Sequence, residues 1–214
     1  MDRFYRICHW LVAAPIRLVF RIRVTGRENE PAPDAGGYLV CANHMSAWDP
    51  VWLGAAFRKR QLHYMAKEEL FKIPLLRGLI RALGTYPVRR GVADMTSIKN
   101  TISILVSGRC VGMFPQGTRR KGENPLDTEV RSGVGMIAHR AGADVLPVFI
   151  RAKGYISAPF AKKEIIIGEP ISHSTIAKMR EAHAGYKEVA EFIFGRVCAL
   201  GGLERKDSDG RERQ

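Results

Sequence analysis

The most restrictive feature of this chain is the rhythm of its short apolar runs. Tyr38–Asn43 (YLVCAN), Leu62–Ala66, Thr85–Arg89, Cys110–Phe114, Val145–Ile150 and Glu164–Ile167 are each four to six residues long. That is the length of a strand and too short for a helix. Helix-length stretches alternate with them. Asp94–Ser107 repeats Met95, Ile98, Ile102 and Leu105 on one face and stops at Gly108, and Gly133–Arg140 ends near Gly142. A last helix is expected over Thr175–Leu200, interrupted around Gly185. Strand-like and helix-like segments in alternation predict an α/β fold, a single domain with a mixed sheet flanked by helices. It would occupy residues 25–203. No internal repeat or low-complexity block competes with that reading. The tail at 204–214, ERKDSDGRERQ, has nothing to bury and is expected to be disordered.

The chain carries 34 Lys and Arg against 21 Asp and Glu, a formal charge of +13. Such a surplus points to phosphate-bearing partners: nucleic acid, anionic lipid headgroups or a phosphorylated small substrate. The four cysteines, Cys8, Cys41, Cys110 and Cys198, have no paired spacing for zinc or redox work, so reduced cytosolic thiols are expected and no metal site. Residues 1–24 combine five Arg and one acid with Phe4, Tyr5, Trp10, Leu11, Val19 and Phe20. The longest apolar run, Trp10–Ile16, is far short of the ~20 residues a spanning helix needs. The segment therefore predicts an amphipathic helical element lying in a membrane interface, with Pro15 as a kink or break. An ordinary amphipathic helix packed on the domain has the same pattern.

The first stretch with chemical content is NHMSAWDP, Asn43–Pro50, directly after the YLVCAN strand. On a continuous helix His44 and Asp49 would lie on different faces. Pro50 suits the first turn of a helix and Asp49 the cap before it, so the chain is expected to turn between His44 and Asp49. A His held by a carboxylate has a fixed tautomer and can act as a general base. The spacing alone carries little. Six His and eight Asp lead to about 0.2 chance matches in a chain of this length, yet there are two, the second being His139 and Asp144. The second stretch is FPQGTRR, following the Cys110–Phe114 strand. Gly117 admits a phosphate to backbone N–H groups, Thr118 offers a hydroxyl and Arg119 a planar fork. Taken alone it also reads as a basic surface turn. A third stretch, Ala66–Gly91, interleaves Lys67, Arg77, Arg89 and Arg90 with apolar residues, Lys67 and Arg89 standing at strand ends.

In order, NHMSAWDP, AKEEL…GTYPVRRG, FPQGTRR and VLPVFI resemble the four blocks of the glycerolipid acyltransferase family, most of all its bacterial lysophosphatidate acyltransferases. The resemblance spans roughly residues 20–170, including the strand-and-Gly lead-in RIRVTGRENEP. It implies that His44 is the general base oriented by Asp49, and that the base activates the free hydroxyl of lysophosphatidate toward the thioester of acyl-CoA or an acylated carrier protein. It implies that Lys67, Arg89, Gln116, Gly117, Thr118 and Arg119 bind substrate, with backbone N–H groups after His44 as candidate oxyanion donors. The expected product is phosphatidate for phospholipid synthesis. No cofactor or metal is implied, because the thioester is already activated. The implied partners are an anionic membrane surface, the lysophospholipid and the acyl donor, with no nucleic acid. The implied location is the cytoplasmic face of the cell membrane, as a peripheral protein. One departure stands out: the third block usually has Glu where this chain has Gln116, which keeps an acceptor oxygen, adds an NH₂ donor and loses the charge. Acyl transfer to glycerol-3-phosphate or another lysolipid, and a catalytically silent basic lipid- or nucleic-acid-binding protein, are the alternatives.

Overall fold

A computed structural model describes residues 3–88, 95–158 and 160–204. The order of elements is α1 (Arg3–Val19), β1 (Ile22–Thr25), β2 (Tyr38–Ala42), α2 (Asp49–Ala56), β3 (Leu62–Lys67), α3 (Pro74–Ala82) and β4 (Tyr86–Val88). It continues with α4 (Met95–Val106), β5 (Cys110–Met113), α5 (Gly133–Ala141), β6 (Asp144–Ala152), β7 (Lys163–Ile167), α6 (His173–Glu181) and α7 (Tyr186–Leu200). The seven strands form one sheet in the order β1-β7-β6-β2-β5-β3-β4. From β6 to β4 neighbouring strands are parallel; β7 runs antiparallel to β6, and β1 parallel to β7. The sheet is thus mixed, with its reversed strands at one edge.

The period of two along each strand divides the core into two layers. Leu39 and Cys41 of β2 enter one cluster with Val134 and Ile137 of α5 and Ile193 and Val197 of α7. Val40 and Ala42 enter the other, with Trp52, Leu53 and Ala56 of α2. Both faces of the parallel strands are therefore covered, which is why YLVCAN and VLPVFI read as continuous apolar runs rather than alternating ones. Burial raises the thiol pKa values of Cys41 and Cys110 above the ordinary range, leaving them as inert core groups.

The N-terminal segment departs from expectation in two ways. The helix runs through Pro15 instead of breaking there, since Pro15 lies on the exposed side, where the lost backbone hydrogen bond is replaced by solvent. Residues 22–24 are not helical but open β1. The alternation Arg21-Ile22-Arg23-Val24 is a half-buried edge strand, hidden among Arg residues, with Ile22 aligned to Lys163 of β7. The boundary drawn at residue 24 accordingly cuts through the sheet. Helix α1 packs on α2 and β1 and leaves Ile7, Trp10, Leu11, Leu18 and Val19 exposed. Among the described residues no helix is long and apolar enough to cross a membrane. The C-terminal helix is broken as expected, α6 ending before Gly185 and α7 starting after it. Most of the charged tail, residues 205–214, lies outside the described residues.

Candidate active site

The carboxyl-terminal ends of parallel strands are where an α/β sheet collects reactive groups, because the chain leaves the ladder there and its loops converge. At the end of β2, Asn43 closes the ladder with its side chain. Its Nδ2 donates to the Ile150 carbonyl at 3.0 Å and its Oδ1 accepts from the Ile150 N–H at 2.7 Å. The main chain is then free to turn, and the next residue is His44.

His44 and Asp49 meet. Nδ1 of His44 lies 2.8 Å from Oδ2 of Asp49, whose side chain is fully buried. The carboxylate can only accept, so Nδ1 carries the proton and Nε2 keeps its lone pair. Nε2 has no protein partner among the described residues. The imidazole plane is set a second time by Phe114, whose ring stacks on it at 4.0 Å and 15°. Asp49 is not the cap of α2; Trp48 holds that position. Its Oδ2 instead accepts from the backbone N–H groups of Met45 at 2.6 Å and Ser46 at 2.7 Å, winding the intervening loop around the carboxylate. That corrects the expectation for the oxyanion: these two N–H groups serve Asp49 and are not free to serve a substrate. Three hydrogen bonds, together with the first turn of α2, stabilise a buried anion. The Lys163 ammonium adds to this: burial lowers its pKa, while the Asp49 charge opposes the shift.

Strand β5 is hydrogen-bonded beside β2, so its following loop reaches the same place. Gln116 does not line the cleft. It is 2% exposed, and both ends of its amide are used within the protein. Oε1 accepts from the His44 N–H at 2.7 Å, and Nε2 donates to Oγ1 of Thr128 at 2.8 Å, which donates on to the Pro125 carbonyl at 2.7 Å. The Arg120 N–H in turn donates to the His44 carbonyl at 2.8 Å. The loop therefore grips the backbone of His44 from both sides. Thr128 has no signature in the sequence; only the folded loop brings it to Gln116. In this setting Gln116→Glu keeps the acceptor for His44 and is expected to retain activity within about threefold. Gln116→Leu strands a buried N–H at a cost of about 1–3 kcal/mol and is expected to lower both the thermal midpoint and turnover. Assay and melting curves on the two variants check this; a Glu variant as damaged as the Leu variant would shift the weight to the Thr128 contact.

Gly117 adopts φ 69°, a left-handed conformation that turns the loop outward, and Thr118 and Arg119 follow it as exposed residues. Between this loop, the residues after His44 and the segment Ile156–Ala158 lies a cleft of about 490 Å³. Its wall combines Arg119 and Lys121 with apolar Met45, Trp48 and Ile156, and includes no acid. Lys67 ends β3 two strands from β2, exposed and on the same edge of the sheet. Arg89 lies outside the described residues, as does Arg90. The second His–Asp spacing forms no pair. Oδ1 of Asp144 accepts from the His173 N–H at 2.8 Å, and the His139 ring lies against those of His173 and Tyr186.

A His with a fixed tautomer and an open Nε2, beside a cationic and apolar cleft, is equipped to take a proton from an alcohol. The chain is also similar to known proteins. The chain is 30% identical over 177 residues to a 1-acyl-sn-glycerol-3-phosphate acyltransferase of Bacillus subtilis, covering 82% of this chain and 86% of that protein. It is 33% identical over 161 residues to the protein of that name from Streptococcus pneumoniae, covering 73% of this chain and 57% of that protein. The crystal structure of the 1-acyl-sn-glycerophosphate acyltransferase from Thermotoga maritima superposes with a TM-score of 0.63 at 27% identity, over 96% of this chain and 86% of that one. Residues 21–151, well over half of the chain, match the acyltransferase family model, and the protein belongs to that family of enzymes.

Proposed function

We propose that the protein transfers a fatty acyl group from acyl-CoA or an acylated carrier protein to the free hydroxyl of lysophosphatidate, giving phosphatidate. The observation that carries this is the 2.8 Å pair of His44 and Asp49, with Nε2 left open beside a cleft holding Arg119 and Lys121. In the proposed step Nε2 of His44 removes the hydroxyl proton as the oxygen attacks the thioester carbonyl. Asp49 stabilises the imidazolium that forms. Collapse of the tetrahedral intermediate breaks the C–S bond, and the proton passes from His44 to the leaving thiolate. An ester and a thiol replace the alcohol and the thioester, so atoms and charge balance with no cofactor in the reaction.

The acceptor's phosphate is assigned to the loop Gly117–Arg119, with Lys67 contributing from the end of β3; the Arg89 assignment is kept from the family resemblance. A guanidinium pairs with phosphate in two parallel hydrogen bonds, which no single-point cation reproduces. Arg119→Ala is accordingly expected to raise KM for lysophosphatidate about tenfold or more while leaving KM for the acyl donor unchanged, read by steady-state kinetics with each substrate varied. A defect confined to the donor would remove Arg119 from the acceptor site. The reading as a whole is tested with purified protein, labelled acyl donor and a panel of lysophosphatidate, glycerol-3-phosphate and other lysolipids. Transfer to lysophosphatidate is expected to dominate, and no transfer to any of them would return the protein to a binding role.

The exposed apolar residues of α1, with the exposed Arg6, support peripheral attachment to an anionic bilayer; the cytoplasmic face is kept from the family resemblance. Because β1 begins at Ile22, truncation at residue 24 would damage the sheet. Substitution of exposed positions avoids that: Trp10→Ser with Leu18→Ser is expected to weaken binding to phosphatidylglycerol vesicles about tenfold or more, with the thermal midpoint unchanged. Undiminished sedimentation with vesicles would place the attachment elsewhere, for which the unburied helix α3, with Leu75 and Leu79 exposed, is the next surface to examine.

A further inference from the structure

Beyond the cleft, the β1 edge of the sheet holds a second, open hollow of about 490 Å³. Its wall includes Arg21, Arg23, Arg151, Lys153 and Lys162, and its single acid is Glu164. Strand register aligns Arg23 and Arg151 with Glu164, one from each side. Arg151 takes that acid, Nη1 to Oε2 at 2.8 Å. Arg21, Arg23, Lys153 and Lys162 have no acidic partner among the described residues. Like charges on neighbouring strands oppose sheet formation. The packing of this edge does not use them, since the core contacts here come from the intervening residues Ile22, Ile165 and Ala152. An anion seated among them would remove the repulsion.

The position of the hollow narrows what that anion is. Arg23, Glu164 and Arg151 alternate onto the α7 face of the sheet, where Arg151 reaches the Leu200 carbonyl, while Ala152 and Lys163, which also line the hollow, belong to the α2 face, so it wraps around the strand ends. It is also next to the chemistry: β6 is hydrogen-bonded to β2, and the segment leaving β6 contributes Lys153 to the hollow and Ile156–Ala158 to the cleft beside His44. A ligand filling both would have its reacting group at one end, an anion at the other and an uncharged arm between.

We infer that this hollow receives the phosphate at the far end of the acyl donor's phosphopantetheine arm, a group that acyl-CoA and acylated carrier protein have in common. The inference rests on the acyl-transfer reading above. The Arg119 loop then holds the acceptor's phosphate and the β1 edge the donor's, on opposite sides of His44.

The test uses the full chain carrying Arg23→Gln, Lys153→Gln and Lys162→Gln, three exposed positions outside the catalytic machinery. With lysophosphatidate saturating, KM for acyl-CoA, for acylated carrier protein or for both is expected to rise about tenfold or more, at unchanged kcat and unchanged KM for lysophosphatidate. The two donors assign the source: a rise with both marks the shared phosphate, and a rise with one marks that donor alone. Acyl-pantetheine, which has no phosphate, should be used equally by variant and wild type. Inhibition of the wild-type enzyme is a second measurement that does not depend on the variant folding: 4′-phosphopantetheine should inhibit at a concentration about tenfold below that of pantetheine. Unchanged KM for both phosphorylated donors, an equal loss with acyl-pantetheine, or no difference between the two inhibitors would overturn the inference. Weaker binding to phosphatidylglycerol vesicles at unchanged donor KM would overturn it in favour of lipid headgroups. Absence of transfer by the wild type with every donor would instead count against the parent reading.

Discussion

His44→Ala is expected to reduce acyl transfer by on the order of 10²–10⁴-fold in kcat, with KM for both substrates changed little. The size follows from what is lost. The thioester is already reactive and the cleft still orients both substrates, so only proton removal from the attacking hydroxyl fails. Some stability should go with the ring, which is buried, stacks on Phe114 and hydrogen-bonds Asp49, but the fold is expected to hold. The backbone groups of His44, which join Gln116 and Arg120, are retained by Ala. Transfer of labelled acyl groups, run beside a melting curve, separates loss of chemistry from loss of fold. Equal rates for Ala and wild type would sink the general-base assignment.

Asp49→Asn is expected to be nearly as severe, on the order of 10³-fold in kcat, and for a different reason. Oδ2 of Asp49 accepts three hydrogen bonds, from His44, Met45 and Ser46. An Asn oxygen in that place keeps the loop wound but supplies no charge to the imidazolium. Turned the other way, its NH₂ would face Nδ1, force the proton onto Nε2 and abolish the base. Either way the deficit persists across pH, since no titration restores a carboxylate. Stability should fall by about 1–3 kcal/mol, because Oδ1 is buried with no partner among the described residues, and an NH₂ placed there finds no acceptor. An Asn variant within about tenfold of wild type would reduce Asp49 to a loop-forming residue.

The two carboxylates of the repeated His–Asp spacing show how much such a pattern can carry. Around His44, the strand before it and Pro50 after it already predicted a turn, and the turn is there. Around His139, the same interval falls late in a helix and opens a strand, and Asp144 instead serves His173, 29 residues away. Spacing identifies a candidate; the local turn chemistry decides it. By its residues alone the edge strand β1 was concealed for a related reason: with only Ile22 and Val24 beside Arg21 and Arg23, its alternation is too short to distinguish from one face of an amphipathic helix, and only the family resemblance marked RIRVTG as a strand. Gln116 is the opposite case. Its place in FPQGTRR pointed toward substrate, yet its amide faces the backbone of His44.

What the sequence by itself determined is therefore the local and periodic content: an α/β chain, the break at Gly185, the turn that brings Asp49 to His44, and a cationic loop after an apolar strand. These depend on residues within a few positions of one another, or on a period along one element. Only the tertiary structure decided the rest. Placing β5 beside β2 joins residues 72 apart in sequence, Gln116 and His44. Placing β7 between β1 and β6 gathers Arg21, Arg23, Lys153 and Lys162 at one edge. Strand order is set by which faces bury together, a sum over the whole core, and no local pattern in the chain contains that sum.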